Sequence, residues 1–125
     1  MSIQRQTIVI IEKDHAAREM YRRELAQEFD VFPCANIEDA NQVIDQRTVD
    51  VVVWEPVQSG DKGWAFLHGI KANPRLAEIS VIVCSTLEVR DVDVKNQLAA
   101  CLVKPVVPSE LFLAIHNVME NGFAK

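Results

Sequence analysis

The sequence predicts an α/β fold in which a doubly wound, five-stranded parallel sheet carries helices on both faces. Five short runs of branched apolar residues alternate with five segments whose apolar residues recur every three or four positions. The apolar runs are nearly continuous, as in strands that are buried on both faces, and the connections between the segments are short. Strands and helices that alternate in this way form a parallel sheet wrapped by helices.

The first strand and helix are the clearest of these elements. Residues 7–11 (TIVII) form a β-branched run that is too short for a helix. Residues 14–29 change to a helical period, and Asp14 is a suitable N-cap. Residues 31–35 form the second strand, and Pro33 favours an edge position for it because proline cannot donate to a sheet ladder.

The middle of the chain repeats the pattern. Asn36 caps a second helix over residues 37–46, and residues 49–54 (VDVVVW) form the third strand. A loop follows, and a third helix is predicted over residues 63–74. Pro74 ends this helix because proline lacks the backbone N–H that a helix requires.

The strands and helices after residue 79 give local signals of unequal strength. Residues 79–85 (ISVIVCS) form a fourth buried strand. Residues 87–100 predict a helix of low propensity, since β-branched valines and aspartates are frequent in it. Residues 101–103 form a fifth strand, and a final helix begins at Pro108 or Ser109. The whole chain, residues 1–125, is therefore predicted to be one domain with its core over about residues 7–121.

Composition limits the classes of function. The chain has 125 residues, of which 49% are apolar and 25% charged, as in ordinary globular proteins. Its net charge of −5 and scattered basic residues argue against a nucleic-acid partner. No apolar stretch reaches the roughly 20 residues that span a bilayer, and the first residues do not resemble a secretory signal. We expect a cytoplasmic protein with no membrane contact.

The three cysteines, Cys34, Cys84 and Cys101, do not form a metal-binding or redox motif. None of them belongs to a CxxC pair, and no cysteine or histidine group has the spacing of zinc ligands. An odd number of cysteines in a chain without a signal peptide suggests reduced thiols. We therefore expect all three to be small, buried apolar residues.

The candidate site lies where the predicted strands end. In doubly wound sheets, ligands bind outside the carboxyl ends of the strands, at the point where the winding reverses. The residues that follow those ends are charged or hydroxyl-bearing: Glu12, Lys13 and Asp14 after the first strand, Glu55 after the third, Ser85 at the end of the fourth, and Lys104 after the fifth.

The chain resembles the receiver domain of two-component response regulators over almost its whole length. Three stretches carry the resemblance: IVIIEKD with its acidic tip, DVVVWEPVQSGDKG with its glycine at Gly63, and VIVCS together with LVKP. The resemblance implies the strand order 2-1-3-4-5, a flavodoxin-like topology. It also implies a signalling module in a bacterial phosphorelay pathway rather than an enzyme.

In a working receiver, the resemblance implies, acidic residues after the first strand hold Mg²⁺ and an aspartate after the third strand accepts a phosphoryl group. A hydroxyl and a lysine then hold that group. This sequence keeps Ser85 and Lys104. Its acidic pocket reads Glu12, Lys13 and Asp14, so a cation stands at the position of a direct metal ligand, and Glu55 stands at the acceptor position.

These substitutions predict a pseudo-receiver that binds no Mg²⁺ and no other cofactor. The extra methylene of Glu55 displaces its carboxylate, and a misplacement of about 1 Å can cost a positioned reaction about 10²-fold. Lys13 is expected to pair with Glu55 or Glu12, and Lys104 offers Glu55 a second partner. Two alternatives remain open. Glu55 is a solvated strand-end residue without a switching role, or the domain is an active, Mg²⁺-dependent receiver with an unorthodox acceptor, Glu55 itself or Ser85.

Protein contacts are the expected output. Cys101 stands where many receivers carry an aromatic residue whose movement reports phosphorylation, so that readout is in doubt. The resemblance implies a partner or dimer surface on the fourth helix, fifth strand and fifth helix, and it would serve a protein partner, an output domain or a homodimer. Its predicted residues are Val89, Val92, Leu98, Phe112 and His116.

Other classes of protein on this fold fit less well. A flavodoxin-like cofactor binder needs a phosphate loop rich in glycine or hydroxyl groups after the first strand, and EKDHAA supplies charges instead. A hydrolase needs an assembled nucleophile and base, and no GxSxG motif is present.

Overall fold

The computed structural model describes residues 5–55, 61–86 and 92–123. Within them, five strands alternate with five helices. The strands are β1 (Thr7–Ile11), β2 (Asp30–Cys34), β3 (Val51–Trp54), β4 (Ser80–Ser85) and β5 (Ala100–Val103). The helices are α1 (His15–Leu25), α2 (Ile37–Gln46), α3 (Asp61–Ala72), α4 (Val92–Lys95) and α5 (Pro108–Phe123).

The strands form one parallel sheet in the order β2-β1-β3-β4-β5, which confirms the predicted fold class and strand order. At the carboxyl edge, Ile11 of β1 is in register with Cys34 of β2 and with Trp54 of β3. Pro33 lies on β2, and β2 is an edge strand as the sequence predicts. The winding reverses between β1 and β3, so the ends of these two strands border the same crevice.

Alternate residues of the central strands fill two separate cores. One core joins the sheet to α2 and α3 and contains Val9, Val52 and Trp54. The other joins the sheet to α1 and α5 and contains Ile8, Ile10, Val51, Val53, Tyr21, Leu25, Leu111 and Ile115. The helices thus cover both faces of β1 and β3, which explains why these strands have no polar alternation in the sequence.

Side-chain caps fix both ends of α1. The Asp14 carboxylate accepts a hydrogen bond of 2.8 Å from the backbone N–H of Ala17, as predicted for an N-cap. At the other end, the Arg5 guanidinium donates to the carbonyl oxygens of Ala26, Glu28 and Phe29, at 2.5, 3.0 and 2.8 Å. These bonds satisfy carbonyl groups that the end of a helix leaves without partners.

The structure corrects two predictions about the β5 side of the sheet. The helix predicted over residues 87–100 is described only from Val92 to Lys95, because a turn follows it and Ala100 already belongs to β5. Residues 87–91 lie outside the described residues. Cys101 is exposed rather than buried, since β5 is an edge strand with alternate residues open to solvent. Cys34 and Cys84 are buried as expected.

A smaller difference concerns the third helix. It begins at Asp61, two residues before its predicted start at Gly63, and ends at Ala72, two residues before Pro74. Residues 56–60 of the loop predicted before it lie outside the described residues. None of the helices in the described part of the chain is both long and apolar enough to cross a membrane.

Candidate functional site

Three predicted site residues meet at the carboxyl edge of the sheet. Glu12 directly follows β1, Glu55 directly follows β3, and Lys104 directly follows β5. Each continues the alternation that points toward α1 and α5, as do Ile10 before Glu12 and Val53 before Glu55. The same strand period that fills this core therefore brings two carboxylates and one ammonium together.

The Lys104 ammonium lies between the two carboxylates. Its Nζ is 2.8 Å from Oε1 of Glu12 and forms a second ion pair with Oε2 of Glu55. The side chains of Glu12 and Glu55 are only 4% and 5% exposed, and that of Lys104 is 20% exposed. We refer to Glu12, Glu55 and Lys104 as the ion-pair cluster. Its formal charge is −1, since one cation faces two carboxylates.

The surroundings hold Lys104 in its charged form. Burial alone would lower the pKa of Lys104. The hydrogen bonds and charges of Glu12 and Glu55 raise this pKa by more, so the pKa of Lys104 lies well above the ordinary lysine value. Within the described residues, Oε2 of Glu55 has the Lys104 ammonium as its ion-pair partner and receives no other hydrogen bond. This oxygen therefore depends on Lys104 for its compensation.

Asp14 and Lys13 are the other two residues of the predicted acidic pocket. The Asp14 carboxylate caps α1, while the Asp14 backbone N–H donates to Oε2 of Glu12 at 3.0 Å. The second oxygen of Glu12 is thus engaged by the backbone. Lys13 is exposed, and its predicted pairing with Glu55 or Glu12 stays a prediction. The cation that the structure places between the two glutamates is Lys104.

Ser85 lies next to this cluster, at the end of β4, which pairs with β5. The residue is 2% exposed, and its carbonyl oxygen accepts a hydrogen bond of 2.8 Å from the backbone N–H of Lys104. Cys84, on the α1–α5 side of β4, is buried beneath the charges, and burial raises its thiol pKa to about 12.

Two residues of α1 also contact this region, and neither was predicted to do so. The Tyr21 hydroxyl donates to the carbonyl oxygen of Val106 at 3.0 Å. The Arg18 guanidinium donates to the carbonyl oxygens of Glu12 and Lys13, at 2.8 and 3.3 Å. The signal for Tyr21 was its place on the apolar face of the helix, because a buried tyrosine hydroxyl needs a hydrogen-bond partner.

Solved structures share this fold over nearly the whole chain. The signal receiver domain assigned to a Luxo repressor protein from Vibrio parahaemolyticus superposes with a TM-score of 0.83 at 18% identity, covering 96% of this chain and 94% of that chain. A response regulator from Desulfuromonas acetoxidans gives a TM-score of 0.79 at 22% identity, with 92% and 97% coverage. A CheY-like receiver domain from Methylobacillus flagellatus gives 0.79 at 19%, with 92% and 99% coverage.

The chain has the receiver fold. No model of a protein family matches its sequence, and no curated protein is a significant match. The likeness is therefore one of three-dimensional structure at low sequence identity. In this chain the ion-pair cluster lies at the carboxyl edge of the sheet.

Within the receiver fold, one alternative for Glu55 is wrong. A solvated strand-end residue would be exposed, whereas Glu55 is 5% exposed and ion-paired. Trp54, the residue before Glu55, is 1% exposed. Its ring packs edge-on against Trp64 and Phe66, with both centroid distances at 5.7 Å. This aromatic group lies in the core shared with α2 and α3, on the face of the sheet opposite to the Glu55 side chain.

The predicted partner surface is only partly as expected. Phe112 and His116 lie on the α1 side of α5: Phe112 packs on Phe29, and His116 pairs with Glu28 at 2.7 Å. They turn toward α1 because Leu111 and Ile115 occupy the sheet-facing stripe of the same helix. Leu98 is half-buried, and Val89 lies outside the described residues. The exposed apolar residues near α4, β5 and α5 are Val92, Cys101, Val103, Val107 and Leu113.

Proposed function

We propose that this chain is a receiver-type signalling module that acts by protein contact and is not phosphorylated at the usual acceptor position. The observation that carries the proposal is the Lys104 ammonium between Glu12 and Glu55. In a receiver the lysine and the metal stabilise a phosphoryl group on an aspartate. Here the lysine is engaged by two buried carboxylates of the protein itself, so the charge that would hold an incoming phosphoryl group already has partners.

The donor set supports a site without Mg²⁺. Mg²⁺ prefers near-octahedral coordination by oxygen, and it keeps several waters. Glu12 has one oxygen on Lys104 and the other on a backbone N–H, while Asp14 caps α1. Within the described residues there is no group of three or more histidine, cysteine, aspartate or glutamate side chains that could hold a metal. We therefore propose that the cluster uses Lys104 as its permanent counter-ion.

Intact mass spectrometry tests this proposal directly. The wild-type protein is incubated with Mg²⁺ and acetyl phosphate, and we expect no gain of a phosphoryl group. Glu55→Asp alone should also gain none, because Lys13 still stands at the metal-ligand position. The double variant Lys13→Asp with Glu55→Asp restores both functions and should gain one phosphoryl group that depends on Mg²⁺. A double variant that stays unmodified would contradict the site assignment.

The same experiment decides the alternative function. A wild-type protein that gains one phosphoryl group would be an active receiver with an unorthodox acceptor. Peptide mapping would then assign the group to Glu55 or to Ser85, and the acid lability of an acyl phosphate would separate the two. Omission of Mg²⁺ is the matched control, because phosphoryl transfer in receivers depends on a metal that neutralises the equatorial oxygens.

We further propose that the protein acts from the cytoplasm through the surface beside β5. Val92, Val103, Val107 and Leu113 are 67%, 57%, 49% and 61% exposed, an apolar group of the kind that marks contact sites. Exposed side chains of both charges, Asp93 and Lys95, stand on the neighbouring helix α4. Such a surface can match a second copy of itself across a two-fold axis, so a homodimer is the arrangement to test.

Cys101 provides a native probe for that homodimer. It is the exposed cysteine of the three, whereas Cys34 and Cys84 are buried and burial raises their thiol pKa values to about 11 and about 12. If β5 lies at a two-fold axis, a mild oxidant should link two chains through Cys101, and sedimentation velocity should show a dimer without oxidant. Cys101→Ser is the control. A monomer at all concentrations would direct the search to a different protein as partner.

A further inference from the structure

The buried tyrosine of α1 links two parts of the chain that are far apart in sequence. Tyr21 is 5% exposed, and its hydroxyl donates to the carbonyl oxygen of Val106 at 3.0 Å. Val106 follows Lys104 by two positions and is itself buried in the core shared with α1 and α5. The hydrogen bond therefore fixes the segment that leaves β5 and carries the lysine of the ion-pair cluster.

Arg18 does the same for the opposite side of that cluster. Its guanidinium donates to the carbonyl oxygens of Glu12 and Lys13, at 2.8 and 3.3 Å. Arg18 and Tyr21 are three positions apart on α1, so their side chains leave the helix on neighbouring parts of its surface. One helix thus holds the chain after β1 and the chain after β5 at the same time.

Lys104 can keep its ammonium between the two carboxylates only if its backbone is held in place. A lysine has four rotatable carbon–carbon bonds and prefers solvent, so its backbone must be fixed if the ammonium is to stay between two buried carboxylates. Oε2 of Glu55 relies on that ammonium for compensation within the described residues. A small shift of the Lys104 segment would leave a buried charge without its partner, which is costly.

We propose that Tyr21 and Arg18 are positioning residues of the ion-pair cluster, holding the segments that carry Lys104 and Glu12. This inference rests on the proposed function only in treating the cluster as the working site of the module. It makes α1 the element through which the cluster is held, and therefore an element through which a bound partner can disturb it.

Tyr21→Phe separates this role from that of an ordinary core residue. The variant keeps the ring and removes only the hydroxyl that donates to Val106. The control is Ile115→Val, which removes one methylene from the same core without touching that hydrogen bond. Urea unfolding measures how much stability each variant loses. If the two losses are similar, a difference in the reactivity of Lys104 between the variants must come from the hydroxyl.

The readout is the reactivity of Lys104 toward acetic anhydride at moderately alkaline pH, mapped by mass spectrometry. Exposed Lys95 in the same chain serves as the internal reference. In Tyr21→Phe we expect the pKa of Lys104 to fall by about one unit, and each such unit raises the free-amine fraction about tenfold. Lys104 should therefore react about tenfold faster relative to Lys95. In Ile115→Val the ratio should equal that of the wild type.

An unchanged ratio in Tyr21→Phe, with a stability loss like that of Ile115→Val, would overturn the proposal for Tyr21. Arg18→Met is the second variant, because it keeps the apolar stem and removes the donors. It should loosen the chain after β1, visible as faster amide hydrogen exchange at Lys13 and Asp14, while Arg22→Met should not. These measurements need neither Mg²⁺ nor a phosphodonor, so their outcome is independent of whether the protein accepts a phosphoryl group.

Discussion

The carboxyl edge of the sheet and the outer side of β5 are opposite in their chemistry. At the carboxyl edge, two glutamates and a lysine are buried and ion-paired. On the outer side of β5, Cys101 and Val103 are open to solvent, although they lie only three positions and one position before that lysine in the chain. Charges are thus buried and apolar side chains exposed within one small part of the molecule.

The two regions differ in whether contacts within the chain satisfy their side chains. The ion-pair cluster finds its compensation within the chain, through Lys104 and through the backbone N–H of Asp14. Val92, Val103 and Val107, by contrast, are exposed to solvent in the part of the chain that the structure describes. The first region is closed by ion pairs within the chain, and the second is the one that we propose for a protein contact.

The largest effect is expected from removing the cation of the cluster. Lys104→Met leaves two buried carboxylates without a counter-charge, and breaking a buried ion pair costs about 3–5 kcal/mol. Urea unfolding should show this loss in the free energy of unfolding. Lys95→Met, at an exposed lysine, should stay within about 0.5 kcal/mol. Adding Glu12→Gln and Glu55→Gln to Lys104→Met should recover most of the loss, because no uncompensated charge then remains.

The pH dependence should carry the signature of the same lysine. The folded protein raises the pKa of Lys104 above its ordinary value of 10.5, so the folded state keeps a proton that the unfolded state loses. The contribution of this group to stability is fully present below pH 10.5 and is lost as the pH rises from there toward the folded pKa. The slope of that loss is about 1.4 kcal/mol per pH unit.

This slope is measured as the difference in unfolding free energy between wild type and Lys104→Met at a series of alkaline pH values. The difference removes most of the contributions of Tyr21 and Cys84, because burial, the largest cause of their raised pKa values, is the same in both proteins; Lys104 lowers both pKa values to a smaller extent. A constant difference across the range would mean that Lys104 is not held by the two glutamates in solution.

The smallest effect on stability is expected beside β5. Val103→Thr replaces an exposed methyl by a hydroxyl on an edge strand, and the free energy of unfolding should change by no more than about 0.5 kcal/mol. If the surface is a dimer contact, the same substitution should weaken association measured by sedimentation. Loss of stability without loss of association would indicate that β5 is covered within the chain.

The alternation of the strands was enough to predict the sheet and most of its helices. Residues 7–11 and Asp14 were assigned correctly because a β-branched run and a helix cap are local signals. The fourth helix was predicted too long because its valines and aspartates give little local preference, and the start of β5 at Ala100 is set by pairing with Ile82. That pairing is not visible in the segment itself.

The site divides in the same way. That Glu12, Glu55 and Lys104 follow strand ends was predictable, as was the cap made by Asp14. Lys104 was also predicted as a second partner of Glu55, and the structure shows this pair. What was not predicted is that the same ammonium also pairs with Glu12. The roles of Arg18 and Tyr21 also escaped prediction, since their partners are backbone carbonyl groups and carry no side-chain signal.

The sequence by itself determined the fold class, the strand order through its resemblance to receivers, and the collection of charges at one edge of the sheet. It could do so because strand period and capping act over a few neighbouring residues. Only the tertiary structure decided that Glu55 is buried and paired with Lys104, and that Cys101, Phe112 and His116 lie where they do. Burial and ion pairing join residues that are distant in the chain, and they exist only once the helices have packed against the sheet.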